Sequence, residues 1–174
     1  LFLYFTFLTV MIVLISSCGE KIEPAKTEYK KGEIPDQESW NTTVTFSDSG
    51  LVKAILRAGH ISVYNAKGYT LIDSNAVVDF FKKSENVSKL SGKKGKIFDA
   101  TKDIEVYDSV VFSSKDGSIL KTEKLYWHND SQKVTSDVFV SITTPKEHIE
   151  GIGFESDQNL NNYTIYKVTG TFSK

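Results

Sequence analysis

The chain of 174 residues holds a single cysteine, Cys18. No disulfide can close within it, and no cluster of cysteines can hold a metal. Prolines number three, so little interrupts long strands. Charge of one sign is also lacking: 21 basic side chains face 22 acidic ones, for a net charge of −1. That balance excludes the strong basic excess of a nucleic-acid binder. The helix formers are scarce, with 6 Ala and 11 Leu. No segment keeps a helical period, which argues against a helical bundle and an α/β nucleotide-binding fold.

Catalytic signatures are missing as well. There is no Gly-Xaa-Ser-Xaa-Gly elbow, no phosphate loop and no zinc-protease motif. His60, His128 and His148 stand at no ligand spacing and read as surface residues. Asp99, Asp103 and Glu105 come close together in a polar stretch that reads as a solvated turn. Arg57, the only arginine, reads as a surface cation, and the four Asn-Xaa-Ser/Thr sequons as incidental. The expectation is a protein that is not an enzyme and uses no cofactor or metal.

What the chain has instead is shape. Its 15 Val, 14 Ile, 15 Thr and 21 aromatics suit a pleated surface. Val44-Thr45-Phe46, Val77–Phe80, Val110-Val111-Phe112 and Val138–Ile142 are short β-type runs. Turn signals part them at Ser47–Gly50, Asn65–Gly68, Lys115–Ser118 and His128–Ser131. Residues Ser156–Asn161 read as a loop, with a short helix as the alternative.

Four segments share one plan, each passing from an aliphatic residue through polar positions to an apolar-aromatic pair and a turn. The equivalent residues Ile72, Ile104, Val134 and Ile165 lie 32, 30 and 31 apart. Units of two or three short strands cannot bury an apolar face alone, so neighbours must share a core. The fold expected is all-β: a sandwich, jelly roll or half-pipe of antiparallel strands with internal repeats of about thirty residues. Ordinary sandwich regularity is the alternative account, but a four-fold match at so even a spacing favours structural repetition. Val78, Val110 and Val140 follow the first three markers by six residues, and Phe80, Phe112 and Ile142 by eight. An even offset along an unbroken strand keeps one face. These ten residues are therefore expected to point inward.

The N-terminal residues 1–15 form an apolar run without a charge. It is short of the roughly 20 residues that span a bilayer and suits a secretory signal, with a basic segment expected ahead of Leu1. Ile15-Ser16-Ser17-Cys18 resembles a bacterial lipobox. That resemblance implies cleavage before Cys18, acylation of its sulfur and amino group, and a membrane-tethered exported body. A truncated transmembrane anchor is the alternative. The organisation expected is a signal peptide over 1–17, a lipidated cysteine with a flexible tether over 18–35, and a β domain over 36–174.

Several strings then stand out in order: Pro35–Trp40, Ala58-Gly59-His60-Ile61, Leu120–Trp127, Phe139–Pro145, Gly151–Asp157 and Tyr163–Gly170. Together they resemble the LptC family, the periplasmic component of the lipopolysaccharide export system, in its Bacteroidetes-like form. The resemblance implies a twisted, open β jelly roll of the OstA/LptA type, often called a β-taco. It implies a non-enzymatic role in cell envelope biogenesis, with lipopolysaccharide taken from an inner-membrane ABC transporter and handed to an LptA-type bridge. It makes Ile72, Val78, Phe80, Ile104, Val110, Phe112, Val134, Val140, Ile142 and Ile165 the lining of a groove for lipid A acyl chains. Tyr163, Ile165, Lys167 and Val168 become a strand that docks the bridge, and the strand near Trp40–Phe46 docks LptF/LptG-type subunits of the transporter. The location implied is the periplasm, anchored to the inner membrane. Better-known members carry a transmembrane helix where this chain shows a lipobox. Two other classes fit the residues: a lipoprotein holding a small lipophilic ligand in a closed β-barrel or sandwich, and a structural surface lipoprotein.

Overall fold

The structure, a computed structural model, describes residues 34–173, the side chains of 172 and 173 excepted. The apolar run and Cys18 lie outside the described residues. Among those described, no helix is long and apolar enough to cross a membrane. Eleven strands follow one another: β1 (Gln37–Asp48), β2 (Leu51–Tyr64), β3 (Tyr69–Asp73), β4 (Ala76–Lys82), β5 (Glu85–Gly92), β6 (Lys94–Phe98), β7 (Ile104–Ser114), β8 (Ile119–His128), β9 (Lys133–Thr143), β10 (Glu147–Asp157) and β11 (Tyr163–Ser173). The expected turns separate them. Ser156–Asn161 is the end of β10 and a turn, not a helix.

All eleven strands belong to one antiparallel sheet. Its order is β11-β10-β9-β8-β7-β5-β4-β2-β3-β6, with β1 on the free side of β2 and a further pairing of β6 with β7. The branch shows how the sheet is built. The first half of β2 pairs with β4 and its second half with β3. The first half of β7 pairs with β6 and its second half with β5. The long strands thus run through two walls, while between them the strands break in two.

The break follows one line across the sheet. Asn41 in β1 has φ +50 and stands opposite Gly59 of β2. Next come Ser74 and Asn75 (φ +64 each) between β3 and β4, Lys93 between β5 and β6, and Asp108 and Ser109 (φ +69 and +58) within β7. Register shifts continue the line through β8 and β9, to Gly153 (φ +80) in β10. Cross-strand bonds hold it: Gly59 N–H donates to Ser74 O at 2.8 Å, Asn75 N–H to Lys93 O at 3.2 Å and Lys93 N–H to Asp108 O at 3.0 Å. Left-handed residues and bulges bend a strand. Aligned in register, they form a crease, and the sheet folds along it so that one half covers the other.

One wall holds β4, β5 and the halves of β2, β7, β8, β9 and β10 that flank them. The facing wall holds β3, β6 and the remaining halves. This refines the expected lining. The strands are not unbroken between the paired positions, so Ile72, Ile104, Val134 and Ile165 lie on one wall, and Val78, Phe80, Val110, Phe112, Val140 and Ile142 on the other. The two-residue corners at Ser74-Asn75 and Asp108-Ser109 keep the count even, so side chains on both sides still point inward. Nine of the ten are buried and Ile165 is half-buried against them. Leu56, Leu90, Leu120, Leu125, Trp127 and Phe154 join the same core.

Gly59 shows how tight the crease is. A Cβ there would sit 2.5 Å from the backbone oxygen of Ser74. Backbone cannot yield as a flexible side chain can, so Gly59→Ala is expected to lower the unfolding free energy by about 1–3 kcal/mol. Denaturant titration of both proteins checks this; equal midpoints would mean that the crease tolerates the extra carbon.

Candidate functional site

The space between the walls is the most extensive apolar environment of the described residues. Alternation puts Val, Ile, Leu and Phe inside, and Lys, Glu and Ser outside. The inside carries no charged side chain that is fully buried; its buried polar residues are hydroxyls. Two of these serve the crease. Thr122 Oγ1 donates to Phe139 O at 2.8 Å, and Ser136 Oγ to Lys124 O at 2.8 Å, satisfying carbonyls where β8 and β9 leave register.

Opposite the crease the two walls meet only through side chains and turns. The Trp127 ring leans on Phe80 across the gap, with centroids 5.3 Å apart. On the β1 side of this contact lies a cavity of about 500 Å³. Phe46, Asp48, Lys53 and Ala54 of one wall line it, with Ile104, Trp127 and Lys102 from the other. Neither lysine forms an ion pair among the described residues. The Trp127 Nε1–H is buried there without an acceptor. The volume falls within the range of small-molecule sites.

At the far end Tyr163, on β11, reaches across the mouth and donates to Glu147 Oε1 at 2.7 Å, while its ring packs beside Phe154 with centroids 6.3 Å apart. Burial, and then the hydrogen bond and charge of Glu147, push the Tyr163 phenol up to about 12. A pKa raised on folding contributes stability that is whole below the unfolded value, near 10, and is lost as pH rises through about 12. Tyr163→Phe is therefore expected to flatten the fall of unfolding free energy between about pH 10 and pH 12. An unchanged slope would remove the tyrosine from the cross-wall contact.

The sheet stays open at both ends. β1 pairs only with β2 and β11 only with β10, so each offers a free edge. The four residues expected to dock a partner all lie on β11: Tyr163 and Ile165 turn toward the core, and Lys167 and Val168 are exposed. Trp40 on β1 is exposed and stacks on His60, centroids 5.0 Å apart. The outer faces carry ion pairs: Arg57–Asp79, Lys93–Asp108 at 2.9 Å, Lys124–Glu105 at 2.9 Å and Lys133–Glu155. The hydrogen bond between Lys93 and Asp108 raises the pKa of the ammonium and lowers that of the carboxyl, and the bond between Lys133 and Glu155 does the same. Exposed pairs of this kind contribute little to stability.

His60 lies 2.9 Å from Asp73 and 3.3 Å from Glu38, and His128 bonds Thr135 at 2.9 Å. Among the described residues no group of His, Cys, Asp and Glu could hold a metal ion. Asp103 accepts from the Asn129 amide at 2.9 Å and Glu105 holds Lys124, so that carboxylate cluster is divided between a turn and a strand face.

Sequence reasoning passed over Trp127, Leu160 and Phe154 as lining. Trp127 was marked by its place two residues after Leu125 in an alternating run. Leu160 carried no signal, because it sits in a polar loop.

The family whose sequence model matches this chain is described as lipopolysaccharide-assembly, LptC-related, and the match covers residues 2–173. No curated protein matches the chain.

Proposed function

Since the chain belongs to the LptC-related lipopolysaccharide-assembly family, a non-enzymatic part of lipopolysaccharide transport in the periplasm, we propose that the space between its walls carries lipid A acyl chains from the inner-membrane transporter toward the bridge. The observation that carries this reading is the way the walls are joined. They share strands only along the crease, and across the mouth they meet through side chains. They can part about the crease without breaking a ladder hydrogen bond, which exposes two apolar surfaces to a chain while the outer ion pairs stay in water. Acyl chains need such a dry trough, and the sugars need the open side. No nucleotide site is required, because the transporter supplies the energy.

The cavity beside Trp127 is where an acyl chain first inserts, with Lys53 and Lys102 at its rim for the anionic head. The free edges complete the relay. β1 adds to the jelly roll of LptF/LptG-type subunits, and β11 adds to an LptA-type bridge by backbone hydrogen bonds, making one continuous sheet. Cys18 carries the lipid that tethers the chain to the membrane. A closed barrel for a small lipophile is less well supported, because β1 and β11 do not pair.

Lipopolysaccharide binding by the full chain in phosphatidylcholine nanodiscs tests the carrier role. Ile142→Asp, inside, is expected to weaken binding far more than Phe139→Asp, outside. Unfolding midpoints measured beside it separate lost binding from a core defect of about 2–5 kcal/mol. Equal effects of the two substitutions in folded protein would contradict the reading.

Proline scanned through Ile165, Tyr166 and Lys167 tests the β11 edge. It is expected to abolish co-purification with the bridge protein where the lost amide faces away from β10. Removing residues 162–174 is expected to do the same while leaving part of lipid capture. Normal co-purification of the truncated chain would overturn the edge assignment. For the anchor, Cys18→Ala is expected to lose metabolic lipid labelling and accumulate as precursor; labelled, processed protein would refute it.

A further inference from the structure

One buried member of the core is held by no strand. Leu160 lies in the loop between β10 and β11, yet it is only 2% exposed and packs in the same cluster as the two walls. Every other buried apolar residue of that cluster belongs to a strand. The loop leaves one wall and faces the opposite rim. Asn159 and Asn161 line a cavity of about 370 Å³ with Val87, Lys115 and Asp116 of the other wall. On its other flank a cavity of about 420 Å³ brings Asn159 and Asn162 together with Lys82. The loop therefore spans the mouth between two voids, with its leucine as the plug.

Its hold is local and incomplete. Asp157 organises the loop by itself: its carboxylate accepts from the Asn159 amide at 3.0 Å, the Asn161 amide at 3.1 Å and the Asn162 side chain at 3.2 Å. The Leu160 amide adds a bond to Asp157 O at 3.2 Å. These bonds tie the loop to its own stem and not to the facing wall. Leu160 has φ +59, a conformation that a side chain branched beyond Cβ rarely adopts without compensation. Ser156 Oγ and Asn159 Oδ1 are buried beside it with no partner. Withdrawing the loop exposes one leucine, but it hydrates two unpaired oxygens and frees a strained backbone. Burial favours the closed position, and the other two terms oppose it.

We propose that the loop of residues 158–162 is a gate on the interior, with Leu160 seated between the walls when the protein is empty and displaced when an acyl chain takes its place. This rests on the reading of the interior as an acyl-chain carrier. The loop runs directly into β11, the free edge. A partner strand that straightens the start of β11 pulls on the same residues, which ties release of the chain to docking of the next unit.

The test locks the gate. Lys115→Cys and Asn161→Cys are placed in the full lipidated chain, whose Cys18 sulfur is blocked by its lipid, so that only the new pair reacts; both sites are exposed. The protein in phosphatidylcholine nanodiscs is treated with a short bismaleimide in one arm and a monofunctional maleimide in the other. Loading with fluorescent lipopolysaccharide is then followed. The bridged protein is expected to load at least about tenfold more slowly than the singly modified one, because its open population is removed. In a second variant, Leu160→Gly, both the plug and the backbone strain are gone, and loading is expected to be severalfold faster than in the parent. Equal rates in the two maleimide arms, or slower loading by Leu160→Gly, would overturn the gate. Failure of the unmodified chain to load at all would instead strike the carrier reading.

Discussion

A sheet with no second layer has to cover its own apolar face, and everything else in this protein follows from that constraint. Among the described residues there is no α-helix to pack on it. The sheet meets the demand by folding along a line where each strand turns through a corner. Asn41, Asn75, Asp108 and Gly153 stand at corners because Asn, Asp and Gly adopt left-handed backbone at lower cost than other residues, and Ser74 and Ser109 adopt it beside them. Once the line is in register from β1 to β10, the two halves face each other and the interior becomes dry. Had the corners been scattered, each strand would have bent separately and no common interior would exist.

The same arrangement separates stability from opening. Ladder hydrogen bonds lie within each wall and around the crease, and they need not change when the walls part. What closes the mouth is a set of weaker contacts: the Trp127–Phe80 ring pair, the Tyr163–Glu147 hydrogen bond and the Leu160 plug. The proposed carrier role uses this division, since such an interior must be closed when empty and accessible when loaded. The two unpaired edges belong to the same logic. A closed barrel would have hidden them, whereas an open sheet leaves unpaired backbone groups at both ends.

Much of the wall pattern was legible in the sequence because alternation is a local property. Val110 and Phe112, or Val140 and Ile142, declare their face by spacing alone. The crease was not legible. Ser74-Asn75 and Asp108-Ser109 are ordinary polar pairs, and only pairing with the next strand shows that they turn a corner in register. For that reason the six-residue offset from Ile72 to Val78 read as one strand, though it joins two walls. Leu160 was hidden for a different cause. A loop residue acquires burial from a wall distant in sequence, and nothing near it marks that wall. The family resemblance, carried by an ordered series of strings rather than one motif, agrees with the match over residues 2–173.

The central claim is that lipopolysaccharide runs between the walls and not over them. Photocrosslinking in living cells reads this directly, with a photoreactive residue placed at Phe112 on one wall, at Val134 on the facing wall and at Phe139 on the outside. The account predicts lipopolysaccharide adducts from Phe112 and Val134 and none from Phe139. Adducts from Phe139 alone, or no adduct from either inner position in protein that is folded and exported, would contradict it.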